Sequence, residues 1–153
     1  MKYCTVKTEL GEIYIAEEKG EIILLTFDKK EVKKMEESVS EVLTEAKKQI
    51  TEYFQGERKE FRLPLKLEGT DFQKRVWKAL EEIPYGETRS YEEIAEAVHS
   101  PKAFRAVGNA NNKNPISIIL PCHRVIGKSG KLVGYGGGLD KKEYLLDLER
   151  KYK

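Results

Sequence analysis

A cysteine and a histidine stand next to each other in this sequence, at Cys122 and His123. A free thiol ionises near pH ~8.5, so a nucleophilic cysteine needs a neighbour, such as an imidazole or a helix N-terminus, that favours the thiolate. A pair of this kind is more often a buried, unreactive cysteine beside a surface histidine. The pair alone therefore does not decide whether Cys122 is a reactive or an inert thiol.

The residues before the pair favour a short buried strand. Ile116 and residues 118–120 are apolar, and Pro121 follows them. Proline has no backbone N–H for a β-ladder, so Pro121 would end the strand. Cys122 would then lie where a rigid element passes into a loop, which is a good position for a nucleophile.

Basic residues are concentrated around this cysteine. The formal net charge is only +2, but no acidic residue occurs between Glu96 and Asp140. Solvated surfaces usually mix both signs, so this acid-free window indicates a polyanionic partner, with composition drift in a Gly- and Asn-rich region as the alternative. Its basic residues are Lys102, Arg105, Lys113, Arg124, Lys128 and Lys131.

The bulk composition limits the function classes. The 153 residues fit one domain or two small lobes, with a composition rich in Lys and Glu that is typical of heat-adapted proteins. The two cysteines, Cys4 and Cys122, form no zinc spacing with the two histidines. We therefore expect no metal, no cofactor and a structural role for Cys4. No membrane span or signal peptide is visible, so we expect an intracellular, cytoplasmic protein, associated with the nucleoid in a prokaryote.

The N-terminal part predicts an antiparallel β-meander followed by helix. Apolar residues take helical spacing from 31 to 54, as one helix or two, and residues 61–67, which carry Pro64, predict an extended linker. The strands are expected at 3–8, 11–16 and 21–27.

The C-terminal part predicts four helices with recognisable starts. Capping boxes, in which a Ser, Thr or Asp precedes a Glu or Gln by three residues, mark three of them, and a Ser-Pro pair marks the other. These starts are Thr70 with Gln73, Ser90 with Glu93, Ser100-Pro101, and Asp140 with Glu143.

The second and third of these helices form a helix-turn-helix pattern at about 90–112. The third helix carries small side chains, which would allow it to approach a minor groove about 6 Å wide closely. Its inward positions are predicted to be Ala103, Ala106, Val107 and Ala110, and another face carries Lys102, Arg105, Asn109 and Asn112.

These residues resemble a known family, the O6-alkylguanine-DNA alkyltransferases, from Gly69 to Glu149. The first 68 residues resemble its smaller lobe only loosely. The resemblance implies an α/β (α+β) fold, with an N-terminal lobe (1–68) holding the meander and helix, and a mainly helical lobe (69–153) holding the helix-turn-helix and a short active-site strand. The matching motifs include Gly69-Thr70-Asp71-Phe72-Gln73, Ile83-Pro84-Tyr85-Gly86-Glu87, Arg105-Ala106-Val107-Gly108, Asn114-Pro115, Pro121-Cys122-His123-Arg124-Val125 and Gly134-Tyr135.

The resemblance also implies a function, which is direct repair of DNA. Members of the family bind duplex DNA in the minor groove, flip the damaged guanine out of the helix and move its O6-alkyl group to a cysteine. The expected partner is double-stranded DNA containing O6-alkylguanine, with O4-alkylthymine as a second lesion, and the expected state is a monomer without an obligate protein partner. Each molecule should act once, because the thioether product has no hydrolysable bond.

By the same resemblance, Cys122 would be the nucleophile, and His123, acting through a water, would form with Glu149 the relay that makes the thiolate. Taken by itself, Glu149 reads as an ordinary surface carboxylate. Tyr91 would help to rotate the nucleotide and donate a proton, and Asn114 would link the recognition helix to the active-site strand. The DNA-binding residues would be Arg105, as a finger in the base stack, with Tyr91, Lys102, Ala103, Ala106, Gly108 and Asn109, and the base pocket would be formed by Val125, Tyr135 and Gly136.

The sequence departs from the family pattern at two of these places. His99 stands where a small residue is expected between the two helices, and Gly136 stands where serine is common. Two other functions remain as alternatives. Alkyltransferase-like lesion sensors replace the cysteine, which Cys122 argues against. A cysteine hydrolase would need Cys122 and His123 to exchange a proton directly, although neighbours on an extended segment point to opposite sides.

Overall fold

The computed structural model describes residues 1–135 and 138–153. The chain forms two compact units, Met1–Leu67 and Glu68–Lys153. It combines an N-terminal sheet with helices, so the predicted α+β class is confirmed. Within the described residues, no helix has the length and apolar character that a bilayer crossing requires.

The N-terminal unit contains the predicted meander. Strands β1 (Lys2–Thr8), β2 (Gly11–Glu18) and β3 (Glu21–Thr26) pair antiparallel in sequence order, which confirms the three expected strands. A fourth strand that was not predicted, β4 (Glu36–Glu37), pairs parallel to the outer edge of β1.

The helix of this unit is shorter than the helical spacing of 31–54 predicts. Helix α1 covers Glu41–Phe54, and the Ser40 side chain accepts a hydrogen bond from the backbone N–H of Leu43 to cap it. The preceding residues form a 3₁₀ turn at Lys29–Val32 and then β4. The apolar spacing there serves a different purpose, because Val32 is buried in a small cluster on the sheet.

The segment 61–67 is not a free linker, which corrects the prediction. The backbone N–H of Ile22 donates to the carbonyl of Pro64 at 2.8 Å, and the N–H of Lys66 donates to the carbonyl of Ile22 at 2.9 Å. This segment therefore extends the sheet beside β3. Pro64 is tolerated because only its carbonyl is used.

The C-terminal unit begins with two helices whose predicted starts are confirmed. Helix α2 (Asp71–Glu81) and helix α3 (Tyr91–Ala97) both open with complete capping boxes, at Thr70 and at Ser90. Trp77 of α2 is buried and donates its indole N–H to the carbonyl of Ala110 at 2.8 Å.

Helix α3 ends at a histidine in the left-handed conformation. His99 has φ 61°. The N–H of His99 donates to the carbonyl of Glu96 and the N–H of Ser100 donates to that of Ala95, which together form a Schellman motif. Glycine is the usual residue at this position because it has no Cβ to clash there.

The predicted start of the next helix at Ser100-Pro101 is wrong, and α4 covers Phe104–Asn112. The backbone of Ser100 is used on both sides, since its N–H closes the Schellman motif and its carbonyl accepts from the N–H of Ala103 in a turn. The N-cap residue is Ala103, which makes no side-chain cap.

The terminal helix α5 (Leu139–Tyr152) has Gly138 as its N-cap, so the predicted capping box at Asp140 is also wrong. A two-stranded parallel sheet completes this unit. It pairs β5 (Arg89–Ser90), directly before α3, with β6 (Val125–Ile126), directly after Cys122 and its neighbours.

Candidate active site

The segment that leads to Cys122 is a series of tight turns, and the predicted strand over 116–120 is wrong. The N–H of Leu120 donates to the carbonyl of Ile116 at 3.0 Å, and the N–H of Cys122 donates to that of Leu120 at 2.7 Å. Ile118 has φ 72°, a conformation that β-branched residues rarely adopt. The apolar side chains are buried as expected, but the backbone bonds locally and not to a neighbouring strand.

Two asparagines hold these turns. The Asn114 side chain accepts a hydrogen bond from the N–H of Ile116 at 2.9 Å and donates to the carbonyl of Leu120 at 2.8 Å. Asn111, which is buried on α4, donates to the carbonyl of Cys122 at 3.3 Å. Asn111 thus ties the backbone of Cys122 to α4, whereas Asn114, the residue to which the resemblance gives this link, bonds to the turns before Cys122.

Cys122 begins a 3₁₀ turn, Cys122–Arg124, and is only 4% exposed. Burial raises the pKa of its thiol. Hydrogen bonds from Asn114 and Ser117 and the charge of Lys142 act in the opposite direction without reversing the shift. The resting cysteine is therefore a protonated thiol, and its reaction requires a group that takes the proton.

His123 and Glu149 form a buried pair beside this thiol. His123 Nε2 lies 2.6 Å from one Glu149 carboxylate oxygen, and the two side chains are 0% and 1% exposed. Arg124 donates to both carboxylate oxygens, at 2.8 and 3.0 Å, and the N–H of Gly86 donates at 3.1 Å. The reading of Glu149 as a surface carboxylate is wrong.

The negative charge of Glu149 determines which ring nitrogen of His123 carries the hydrogen. Burial would raise the pKa of Glu149, but the hydrogen bonds and charges of His123 and Arg124 outweigh it and hold that pKa well below its ordinary range. An ionised carboxylate only accepts, so Nε2 of His123 carries the hydrogen. Burial lowers the pKa of His123, so the ring is neutral at pH 7. Its Nδ1 has no hydrogen-bond partner among the described residues and can accept a proton.

Arg124 corrects the interpretation of the acid-free window. Its guanidinium is buried, bonds to Glu149 and donates to the carbonyl of Ile83 at 2.7 Å. It therefore cannot face a polyanion. The other basic side chains of the window are exposed, namely Lys102, Arg105, Lys113, Lys128 and Lys131.

Tyr91 lies between this site and α4. Its hydroxyl donates to the carbonyl of Val133 at 2.7 Å, and its ring packs on Gly108. Burial raises the pKa of Tyr91, and a hydrogen bond with Asn111 acts in the opposite direction. Tyr91 is therefore a protonated phenol that can donate.

Two of the three residues expected to form the base pocket, Val125 and Tyr135, are among the described residues. Val125 is fully buried in β6. The hydroxyl of Tyr135 is buried within reach of Ser117, and burial, followed by the charge of the Cys122 thiolate, raises the pKa of Tyr135. Gly136 lies outside the described residues.

The residues expected to bind DNA, apart from Tyr91, lie on α4 or directly before it, and they differ in exposure. Lys102, which precedes the helix, Arg105 and Asn109 are exposed, whereas Ala103 and Gly108 are half-buried. Ala106 is exposed, so its predicted inward position is wrong. The inward face consists of Val107, Ala110 and Asn111.

Four residues of the site were not predicted from the sequence, namely Ser117, Asn111, Arg124 and Lys142. A signal existed for Asn111, because it lies four residues after Val107 and so shares the buried face of α4. Arg124 and Lys142 gave no such signal, since a buried cation is indistinguishable from a surface one without its partners. Among the described residues no cluster of histidine, cysteine and carboxylate side chains could hold a metal ion.

Comparison with known proteins places this geometry in a family. Residues 71–151 match the family model described as the DNA binding domain of 6-O-methylguanine DNA methyltransferase, and residues 1–67 match its ribonuclease-like domain. The chain is 52% identical to the constitutive methylated-DNA–protein-cysteine methyltransferase of Bacillus subtilis, covering 97% of this chain and 94% of that protein. It is 51% identical to the methylated-DNA–protein-cysteine methyltransferase of Methanosarcina acetivorans, covering 97% and 98%.

Solved structures agree with these relatives. The crystal structure of Mycobacterium tuberculosis OGT in complex with DNA superimposes with a TM-score of 0.93 at 47% identity, covering 99% of this chain and 94% of that one. Family models thus match nearly the whole chain, and the likeness in sequence and in fold extends over both units. The chain belongs to the 6-O-methylguanine DNA methyltransferase family.

Proposed function

We propose that this chain repairs DNA by moving an alkyl group from the O6 atom of guanine, or the O4 atom of thymine, onto Cys122. The chain would bind duplex DNA as a monomer. The observation that carries the proposal is the buried His123–Glu149 pair next to a buried thiol, in a unit where Arg105 of α4 and the flanking Lys102 and Lys113 are exposed. Names of the relatives support the same reaction.

The relay follows from the protonation states. His123 is neutral with Nδ1 free to accept, so it can take the thiol proton of Cys122 through a bridging water. The imidazolium that forms is stabilised by Glu149 at 2.6 Å. The thiolate sulfur then attacks the alkyl carbon, the bond between that carbon and O6 breaks, and the electron pair leaves with guanine. Tyr91 supplies a proton to the departing base.

Access of the base to Cys122 requires flipping, because a stacked guanine cannot present its O6-alkyl carbon to sulfur. Flipping costs a few kcal/mol. Arg105 lies exposed on α4, on the opposite side from the buried Val107 and Ala110, where it can enter the stack and offset part of this cost.

The test uses the two cysteines as matched variants. Wild type, Cys122→Ser and Cys4→Ser are each incubated with duplex DNA containing one O6-methylguanine, and the intact mass is measured. We expect one added methyl group per molecule for wild type and Cys4→Ser. Cys122→Ser should gain none, because a hydroxyl is harder to ionise and less polarisable. Repeated turnover, or a methyl group on the Cys122→Ser protein, would refute the assignment.

The finger role is tested by comparing two substrates. Arg105→Ala should slow transfer from duplex DNA at least about tenfold, equivalent to ~1.4 kcal/mol of the flipping cost, and should leave transfer from the free O6-alkylguanine base unchanged. Lys78→Ala, which removes an exposed positive charge on α2, is the control. Equal losses on both substrates would argue against the finger.

The alternatives predict different outcomes in the first assay. A lesion sensor would bind the DNA and gain no mass. A cysteine hydrolase would also gain no methyl group, and it would turn over an ester or amide substrate repeatedly. The presence of the Cys122 thiol supports transfer over a lesion sensor, and the names of the relatives support transfer over hydrolysis.

A further inference from the structure

Lys142 is a buried cation that the reaction outlined above does not use. It lies near the start of α5, and its side chain has no solvent exposure. Its ammonium group donates to two backbone carbonyls, those of Val133 at 3.0 Å and Gly134 at 3.1 Å. Burying a charged amine is costly unless it is paired and hydrogen-bonded, so these contacts define what the side chain does.

The same carbonyl of Val133 also accepts the hydroxyl of Tyr91 at 2.7 Å. The Lys142 ammonium lies 5.9 Å from the centre of the Tyr91 ring. Gly134 is packed tightly here, since a Cβ at this position would lie 3.1 Å from the Asn112 side chain and 3.6 Å from the Tyr91 hydroxyl. Lys142 thus connects α5, the Val133–Gly134 backbone and Tyr91.

Lys142 also acts on the thiol. Its positive charge lowers the pKa of Cys122, and the thiolate in turn raises the pKa of Lys142. Burial is the larger effect on the amine and brings the pKa of Lys142 down to about 8. The other titratable groups around it are His123, whose pKa its charge lowers, and Tyr91.

We propose that Lys142 is a positioning residue for alkyl transfer, which holds the Val133–Gly134 backbone against Tyr91 through its hydrogen bonds and whose positive charge acts on Cys122. The proposal rests on the proposed function for its link to transfer. Its effect on the thiol is independent of DNA. Removing the charge should make the thiolate harder to form, and removing the hydrogen bonds should release the carbonyl that orients Tyr91.

The thiol is tested first, without DNA. Iodoacetamide modification of Cys122 is followed by peptide mass spectrometry from pH 6 to 10 in wild type, Lys142→Met, Lys142→Arg and Lys78→Met, an exposed lysine on α2. At pH 6–7, where Lys142 is charged, we expect the modification rate of Cys122 to fall about tenfold in Lys142→Met and to stay near wild type in Lys142→Arg and Lys78→Met; the difference should vanish above pH ~9, where Lys142 has lost its charge. Cys4, modified in the same sample, should be unaffected.

Single-turnover methyl transfer from O6-methylguanine duplex DNA is the second readout. Transfer at pH 7 should fall about tenfold in Lys142→Met, and raising the pH should restore part of it, because the thiolate fraction rises. A Lys142→Met protein with an unchanged rate of iodoacetamide modification at pH 7 and unchanged transfer would overturn the proposal. So would a Lys142→Arg rate that falls as far as that of Lys142→Met.

A third measurement needs no variant, so it tests the charge of Lys142 even if Lys142→Met does not fold. NMR titration of the lysine side-chain nitrogens in wild type should show one amine titrating near pH 8. If every lysine titrates near pH ~10.4, the charge role is refuted. If wild type accepts no methyl group but Lys142→Met still slows the iodoacetamide modification of Cys122, the proposed function is refuted and the action of Lys142 on Cys122 is supported.

Discussion

Replacing Glu149 by glutamine tests the buried charge network. Glu149→Gln keeps the shape of the side chain and an oxygen that can accept from His123, but removes the negative charge. The Arg124 guanidinium, 7% exposed, would then be buried without a counter-charge among the described residues, and the neutral partners that remain would include the Ile83 carbonyl and the Tyr85 ring. Breaking a buried ion pair on one side costs about 3–5 kcal/mol, a large share of a typical unfolding free energy of about 5–15 kcal/mol.

The assay is urea unfolding at pH 7 followed by circular dichroism. Glu143→Gln, the same change at an exposed position of α5, is the matched control and should stay within about 0.5 kcal/mol of wild type. The double variant Arg124→Met with Glu149→Gln should recover at least half of the loss, because the stranded charge is gone. A loss below about 1 kcal/mol in Glu149→Gln would refute the reasoning.

The pH dependence gives a second check. The pKa of Glu149 is lower in the folded than in the unfolded protein, so the unfolded state binds its proton first as the pH falls. The stabilisation is complete above the unfolded pKa of about 4.3 and is lost as the pH drops toward the folded value. The difference between wild type and Glu149→Gln should therefore shrink below pH ~5. A difference that stays constant down to pH ~3 would contradict the network.

Three local changes test the elements that position the site. His99→Gly should raise the unfolding free energy by about 0.5–1 kcal/mol, because glycine adopts φ 61° without a Cβ clash, and a lower melting temperature would contradict the Schellman motif. Gly69→Ala should lower the free energy of unfolding by about 1–3 kcal/mol, because the new Cβ would lie 2.7 Å from the Gln73 side chain and 2.8 Å from the Trp77 ring. Urea unfolding unchanged from wild type would show that α2 has room to shift. Ser90→Ala should lower the free energy of unfolding by about 1 kcal/mol, because the α3 cap is lost, and thermal melts measure this change. Ser129→Ala, on an exposed turn, is the control.

The parts of the fold that the sequence predicts are those set by neighbours along the chain. The capping boxes at Thr70 and Ser90 join residues three apart, and both helices begin where expected. Ser100-Pro101 has an equally good local signature, but the Schellman motif after α3 already uses the backbone of Ser100. A local signal therefore fails where a neighbouring element claims the same atoms.

The site depends on contacts that are distant in sequence. Glu149 lies 26 residues from His123, and periodicity on α5 gives no reason to single it out. Only the resemblance indicated that these two residues belong together. The buried strand before Cys122 failed for a related reason, since burial of Ile116 and Leu120 was predicted correctly but the side chain of Asn114 satisfies the backbone that a partner strand would have paired.

Trp77 is the single tryptophan of the chain, and it is buried against the carbonyl of Ala110 in α4. Light absorbed selectively by indole therefore excites one known point in the C-terminal unit, beside the inner face of the helix that carries Arg105. A red shift of its emission would follow the opening of that unit alone, whatever the N-terminal sheet is doing. The molecule thus carries its own optical probe, which can separate the unfolding of the two units without a label.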